Sequence, residues 1–183
     1  VYANDTGTLT RVWEEPLDDN GWYADTSSVA WGDWNGDGDL DLALGNWGDA
    51  PSRVYANNGK TLILDWEESP GVYARGSYAD TRSVAWGDWD GDGDLDLALG
   101  NSGAPSQVYS NDAGTLTLAW EEPPGVYALG GYADTLSVAW GDWDGDGDLD
   151  LALGNASDPR RVFVIKGGPC TLVCDACPGV ITL

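Results

Sequence analysis

Asp88, Asp90, Asp92, Asp94 and Asp96 occupy alternate positions of the run DWDGDGDLD, with Gly93 between the third and the fourth. The run occurs three times. Asp33, Asn35, Asp37, Asp39 and Asp41 carry it earlier, with Gly38 in the same phase, and Asp142, Asp144, Asp146, Asp148 and Asp150 carry it later, with Gly147. Alternating oxygen donors around a glycine that permits a sharp turn suit a hard cation such as Ca²⁺, which takes roughly 6–8 oxygens. Counted from the first aspartate, the donors stand at positions 1, 3, 5, 7 and 9 and the glycine at 6. Position 7 ordinarily contributes its main-chain carbonyl, so Asp39, Asp94 and Asp148 are expected to ligate through the backbone. Position 12, where a helix-flanked calcium loop places a bidentate Glu, is Leu44, Leu99 or Leu153. The last ligand is therefore expected to be the aspartate at 9, already inside the next strand. Three Ca²⁺ are expected, one per loop. A solvated acidic turn would account for one such run. Three runs in one phase argue against it, as does the mutual repulsion of four or five packed carboxylates.

The remaining composition removes other chemistries. The chain of 183 residues has no His, so imidazole catalysis and imidazole metal ligation are excluded. It has no Met, so Val1 is not a translated start, and a processed product or a piece of a longer chain is expected. The net charge of −23 argues against nucleic acid and anionic membrane surfaces. No apolar run approaches the ~18 residues that span a bilayer, so no membrane insertion is expected. Yet 42% of residues are hydrophobic and 11 are Trp, enough for a packed core. Paired carboxylates also occur in the WEE triplets (Glu14 and Glu15, Glu67 and Glu68, Glu121 and Glu122), and Asp25, Asp80 and Asp134 recur in YADT. An active site is normally one asymmetric constellation. These recur in every unit, so the glutamates are expected on a solvated outer strand, and we expect no enzyme.

The elements that position the loops repeat with them. VYANDTGTLTRVWEEP begins at 1, VYANNGKTLILDWEES at 54 and VYSNDAGTLTLAWEEP at 108. Each leads through YADT and SVAWGDW into the aspartate run. The units are 1–53, 54–107 and 108–161, and residues 162–183 form a degenerate partial repeat with a cysteine-containing tail. Apolar residues alternate within each segment: Val84 and Trp86 on one face of SVAWG, Leu95, Leu97 and Leu99 on one face of LDLALG, Leu116, Leu118 and Trp120 in TLTLAWE. Each unit thus reads as four short strands, with one bulky and one shallow face. Stacked four-stranded antiparallel sheets of this kind are β-propeller blades. The fold expected is all-β, about three blades plus an extra outer strand pair, completed by another chain or by a missing segment.

The strand SVAWGDW, the loop D-x-[DN]-x-D-G-x-x-D and the strand LDLALGN resemble the FG-GAP/VCBS repeat family, the calcium-loop blades of integrin-alpha-like propellers. The resemblance covers 1–161. It implies an extracellular or cell-surface setting, calcium bound in each blade, and roles in adhesion or surface architecture. Family propellers close with about seven blades; this chain has about three and a half. The function expected is a non-enzymatic, calcium-stabilised extracellular repeat protein with a structural or adhesive role, self-assembling head to tail into a ring or filament. Its expected partners are other copies of itself or adjacent blades of a longer chain. A glycan-binding lectin is the alternative, since Tyr23, Tyr78 and Tyr132 stand beside aspartates in YADT.

Cys170, Cys174 and Cys177 close the sequence as C-x3-C-x2-C. On an extended strand Cys170 and Cys174 would lie roughly 13 Å apart, too far for a disulfide. Either can bond Cys177 across the Pro-Gly turn, leaving one thiol for another chain. Two glycosylation sequons occur, at Asn4 and Asn155.

Overall fold

The computed structural model describes residues 1–17, 21, 23–71, 78–123, 132–156, 161–164 and 171–173. Among them are fourteen β-strands and no helix, so no segment described is a membrane-spanning helix. The strands fall into three antiparallel blades. The first runs β3 (Asp25–Gly32), β4 (Asp41–Trp47), β5 (Arg53–Asn57) and β6 (Leu62–Glu67), each paired with the next. The second runs β7 (Asp80–Gly87), β8 (Asp96–Ser102), β9 (Gln107–Asn111) and β10 (Leu116–Glu121). The third runs β11 (Asp134–Gly141), β12 (Asp150–Ala156), β13 (Arg161–Val164) and β14 (Thr171–Val173). A single residue pair, Asp134 with Ser102, bridges β11 to β8, so the second and third blades touch at one corner of their ladders and otherwise stack. A separate hairpin, β1 (Tyr2–Asp5) with β2 (Thr8–Arg11), precedes them. Among the described residues the sheets do not close into a ring.

The period-two pattern sets which side chains meet. Gly32 pairs with Asp41 and Gly45 with Ser28, so these two glycines open a shallow face on the first blade. Val84 and Trp86 of the second blade fill it. A Cβ at Gly32 would stand 2.8 Å from the Trp86 ring, and one at Gly45 would stand 2.8 Å from Val84. The next joint repeats this: Trp140 against Gly87 and Val138 against Gly100, each at 2.6 Å from the imagined Cβ. Two cores result. Leu97, Leu99 and Val84 pack on Ala43, Val54 and Trp34. Leu151, Leu153 and Val138 pack on Ala98 and Val108. Hydrogen bonds brace each blade at the other end of its inner hairpin. A bulge at Thr26, Thr81 and Thr135 turns their hydroxyls onto Asn46, Asn101 and Asn155, each at 2.8 Å.

The β1–β2 hairpin lies on the outer part of the first blade's bulky face. Trp13 meets Tyr55 edge-on, with ring centroids 5.0 Å apart, and Val1 and Trp13 cover Leu42, Leu44 and Tyr55. Glu15 receives hydrogen bonds from Arg53 at 2.8 Å and from Tyr55 at 3.0 Å.

The joint sets a sharp contrast between equivalent glycines. Gly87→Ala forces a methyl group into Trp140 and should cost about 1–3 kcal/mol of stability, as overpacking does. Gly141→Ala, at the same blade position with nothing within 4 Å among the described residues, should be nearly neutral in the single chain at low concentration. Thermal unfolding of the two variants reads the difference; equal losses would contradict the stacking.

Candidate metal-binding loops

Each aspartate run folds back on itself through its own backbone. The amide of the glycine at position 6 donates to the carboxylate at position 1: Gly38 to Asp33 at 3.0 Å, Gly93 to Asp88 and Gly147 to Asp142, both at 3.2 Å. The side chain at 3 accepts from the amide at 5, and the side chain at 5 accepts from the amide at 7. These contacts need left-handed backbone at two glycines. Gly91 at position 4 has φ 76° and Gly93 at position 6 has φ 100°. Only the second was singled out from the sequence.

This turn collects the side chains at 1, 3 and 5. Carboxylate oxygens of Asp88, Asp90 and Asp92 lie within 4.8 Å of one another, and so do those of Asp142, Asp144 and Asp146. The first loop has Asn35 at position 3, which supplies an amide oxygen of the same hardness. There Asp33 Oδ1 is buried with no hydrogen-bond partner, a cost that a cation would remove. All donors are oxygens, so the residues present fit a hard divalent cation. The side chain at position 7 is occupied elsewhere in the second loop: Asp94 Oδ2 accepts from the Ala113 amide at 3.0 Å, capping the outer hairpin.

The aspartate at position 9 has a separate structural duty. Asp41 accepts from the amides of Trp34 at 3.1 Å and Asn57 at 2.7 Å. Asp96 accepts from Trp89 at 2.7 Å and Asn111 at 2.8 Å, and Asp150 accepts from Trp143 at 2.7 Å. All three are buried. Each ties the start of its loop to its blade, and Asp41 and Asp96 also reach the third strand. A carboxylate oxygen that accepts one hydrogen bond keeps a second lone pair, so this duty leaves room for a ligand role. Burial pushes the Asp96 carboxyl up to about 6, helped by the charges of Asp90 and Asp92 and opposed by the Asn111 and Trp89 amides. Burial raises Asp41 in the same way.

Several expectations require correction. Glu68 and Glu122 are each 1% exposed, not on a solvated strand. The Glu68 carboxylate accepts from the Ser52 amide and its own amide donates to the Ser52 carbonyl, closing the end of the outer pair. Burial pushes Glu68 up to about 7. Trp34, at position 2 of its loop, was not recognised as a core residue: it is 3% exposed and its ring stacks on Trp86, centroids 6.5 Å apart, between the blades. Asp80 and Asp134 were not recognised as joint residues; they accept from Gly48 and Ser102 of the preceding blade, at 2.9 and 2.7 Å. No local signal distinguishes them, because their partners are a blade away. Of the two sequons, Asn4 is exposed, whereas the Asn155 carboxamide belongs to the Thr135 brace. Cys170, Cys174 and Cys177 lie outside the described residues.

The family model of the FG-GAP-like repeat matches residues 33–99 and again 88–153, each span running from one aspartate loop through the strand after the next. The chain belongs to the FG-GAP-like repeat family. A comparison with curated proteins gives no match. The matched span contains all three loops and the Gly87–Trp140 joint, and it begins one residue after Gly32 of the other joint.

The buried carboxyls make the cation-free protein sensitive to pH. Glu68 and Asp96 are raised in the folded state relative to the unfolded chain, so the folded state holds more protons between pH ~4 and ~7. Their contribution is fully present below that window and is lost as pH rises through about 6 and 7. Melting temperature in a chelator should therefore rise as pH falls from ~8 to ~5, and Glu68→Gln should flatten the slope. The shift at Glu68 corresponds to at most about 3 kcal/mol. A melting temperature that falls over this range would contradict the burial argument.

Proposed function

We propose that this chain is a calcium-stabilised repeat protein of the extracellular space, with a structural or adhesive role and no catalysis. The observation that carries the reading is the triad of carboxylate oxygens at positions 1, 3 and 5 gathered in the second and third loops, with the same turn in the first, where Asp33 Oδ1 is left buried and unpartnered. When bound, Ca²⁺ would supply positive charge to offset carboxylate repulsion. Asp33, Asn35 and Asp37, Asp88, Asp90 and Asp92, and Asp142, Asp144 and Asp146 would hold it, with the backbone of position 7 and the buried carboxylate at 9. The family and the absent position-12 glutamate support this setting: such a loop would bind with the roughly 10⁻⁴–10⁻³ M affinity of extracellular modules and fill only where calcium is abundant.

A lectin role has less support. The guanidinium of Arg82 lies 4.8 Å from the Trp47 ring centroid, and the Tyr23 hydroxyl donates to Glu14 at 2.9 Å. Tyr23 and Trp47 thus already have partners within the chain.

Binding energy at a site that exists only in the folded state is folding energy. Melting temperature should rise with millimolar Ca²⁺ over a chelator control, and calorimetry should show about three weak sites. Asp92→Ala should remove one of them and leave the other two. An unchanged melting temperature would sink the calcium reading, and nanomolar sites would contradict the extracellular assignment.

A further inference from the structure

The two joints between blades are copies of each other. The Val84 amide donates to Ser28 Oγ and the Val138 amide to Ser83 Oγ, both at 3.1 Å. The Trp86 indole donates to the Ala30 carbonyl and the Trp140 indole to the Ala85 carbonyl, both at 3.3 Å. The end blades carry the two separated halves of this joint. On the first blade Val29 and Trp31, the counterparts of Val84 and Trp86, are 58% and 47% exposed. On the third blade, among the described residues, Gly141 has nothing within 4 Å, and Gly154 meets only Ser137 of its own blade. An open notch of about 230 Å³ lies there, lined by Ala139, Gly141, Trp143 and Ala152 among others.

The β1–β2 hairpin marks what is missing between those halves. Trp66, on the outer pair of the first blade, meets Tyr109 of the second edge-on at 5.0 Å and 72°. Trp13 meets Tyr55 in the same way at 5.0 Å and 68°. The hairpin is therefore seated as the outer pair of a preceding blade, yet it pairs with no inner strand among the described residues.

We infer that a second copy of this chain docks head to tail, its β11–β12 hairpin lying over Val29 and Trp31 and alongside β1. The Val29 amide then meets Ser137 Oγ, the Trp31 indole meets the Ala139 carbonyl, and the two side chains fill the Gly154 and Gly141 seats. Only one outer pair fits at such a joint, so β1–β2 takes the edge of β12 from β13–β14 of the incoming copy. Sequence favours the exchange. Asn57 and Asn111 each donate their amide to the position-9 aspartate and their side chain to the carbonyl at position 8. Asn4 is their counterpart in VYAN, whereas the degenerate unit has Ile165 there. The joint is heterologous, so copies add in one direction and close into a ring or extend as a filament. Each copy carries a net charge of −23, so association strengthens with salt and with divalent cations.

This inference extends the structural role proposed above, but the four residues that fill and form the joint, Val29, Trp31, Gly141 and Gly154, hold no cation in that reading, so the two readings fail separately. The test is the mass of the 183-residue chain in calcium and physiological salt, by light scattering as concentration rises. Mass above the single 19.4 kDa chain, with the Val29 amide and the Trp31 indole N–H gaining protection from hydrogen exchange as it grows, is the expected result. Trp31→Asp removes one half of the joint and Gly141→Leu blocks the other; each should weaken association at least about tenfold. Mixed together, the two variants retain one intact half each and should form a dimer that grows no further. A 19.4 kDa species at every concentration, with exchange at Val29 and Trp31 unchanged, overturns the inference and leaves those seats to another kind of blade. Calcium-dependent melting of that monomer would leave the calcium reading standing.

Discussion

Trp86 comes so close to Gly32 that only a hydrogen fits on the glycine: a Cβ would be 2.8 Å from the ring. The same approach recurs between Trp140 and Gly87. This seat sets the spacing of the stack. Four-stranded sheets each bury one face only by lying on another, and interiors tolerate few voids. A bulky face must therefore meet a shallow one in the same place on every unit. The indole–carbonyl and amide–hydroxyl bonds at each joint then fix the rotation of one blade on the next, because a buried indole N–H left without a partner is costly.

The loops and the joints form one connected network. Asp41 holds the Trp34 amide, the Trp34 ring supports Trp86, and the Trp34 carbonyl accepts from Asn111 of the second blade at 2.6 Å. Asn111 in turn donates its amide to Asp96, the counterpart of Asp41 one blade on. A disturbance of one loop thus reaches the next blade through two contacts, the Trp34–Trp86 stack and the Asn111 hydrogen bond to the Trp34 carbonyl. This connection gives a physical reason for placing dense negative charge beside tryptophan. The residues that crowd the carboxylates together also hold the floor of the joint. Trp143 shows the converse: it carries the same loop position as Trp34 but has no following blade among the described residues, and it is 61% exposed.

Much of this was legible from residue order. Alternation with period two is local, so SVAWG and LDLALGN announced strands and assigned Val84, Trp86, Leu97 and Leu99 to the bulky face. Aspartates spaced by two around Gly93 announced the turn, because that geometry lies within a few residues of backbone. Near-identical units announced stacking. What the order of residues could not convey were partners brought together across blades. Glu68 reads as a surface glutamate until Ser52 is seen to cap it, and Asp80 reads as a turn residue until it receives the Gly48 amide. Asp41 reads as a ligand alone, although folding also makes it the buried clamp between loop and strand. The sequence determined strands, turns and the pairing of large with small faces, since those depend on neighbours in the chain. Only the tertiary structure decided which polar groups are buried and which faces are left without a cover, since burial depends on what a neighbouring blade brings to the same place.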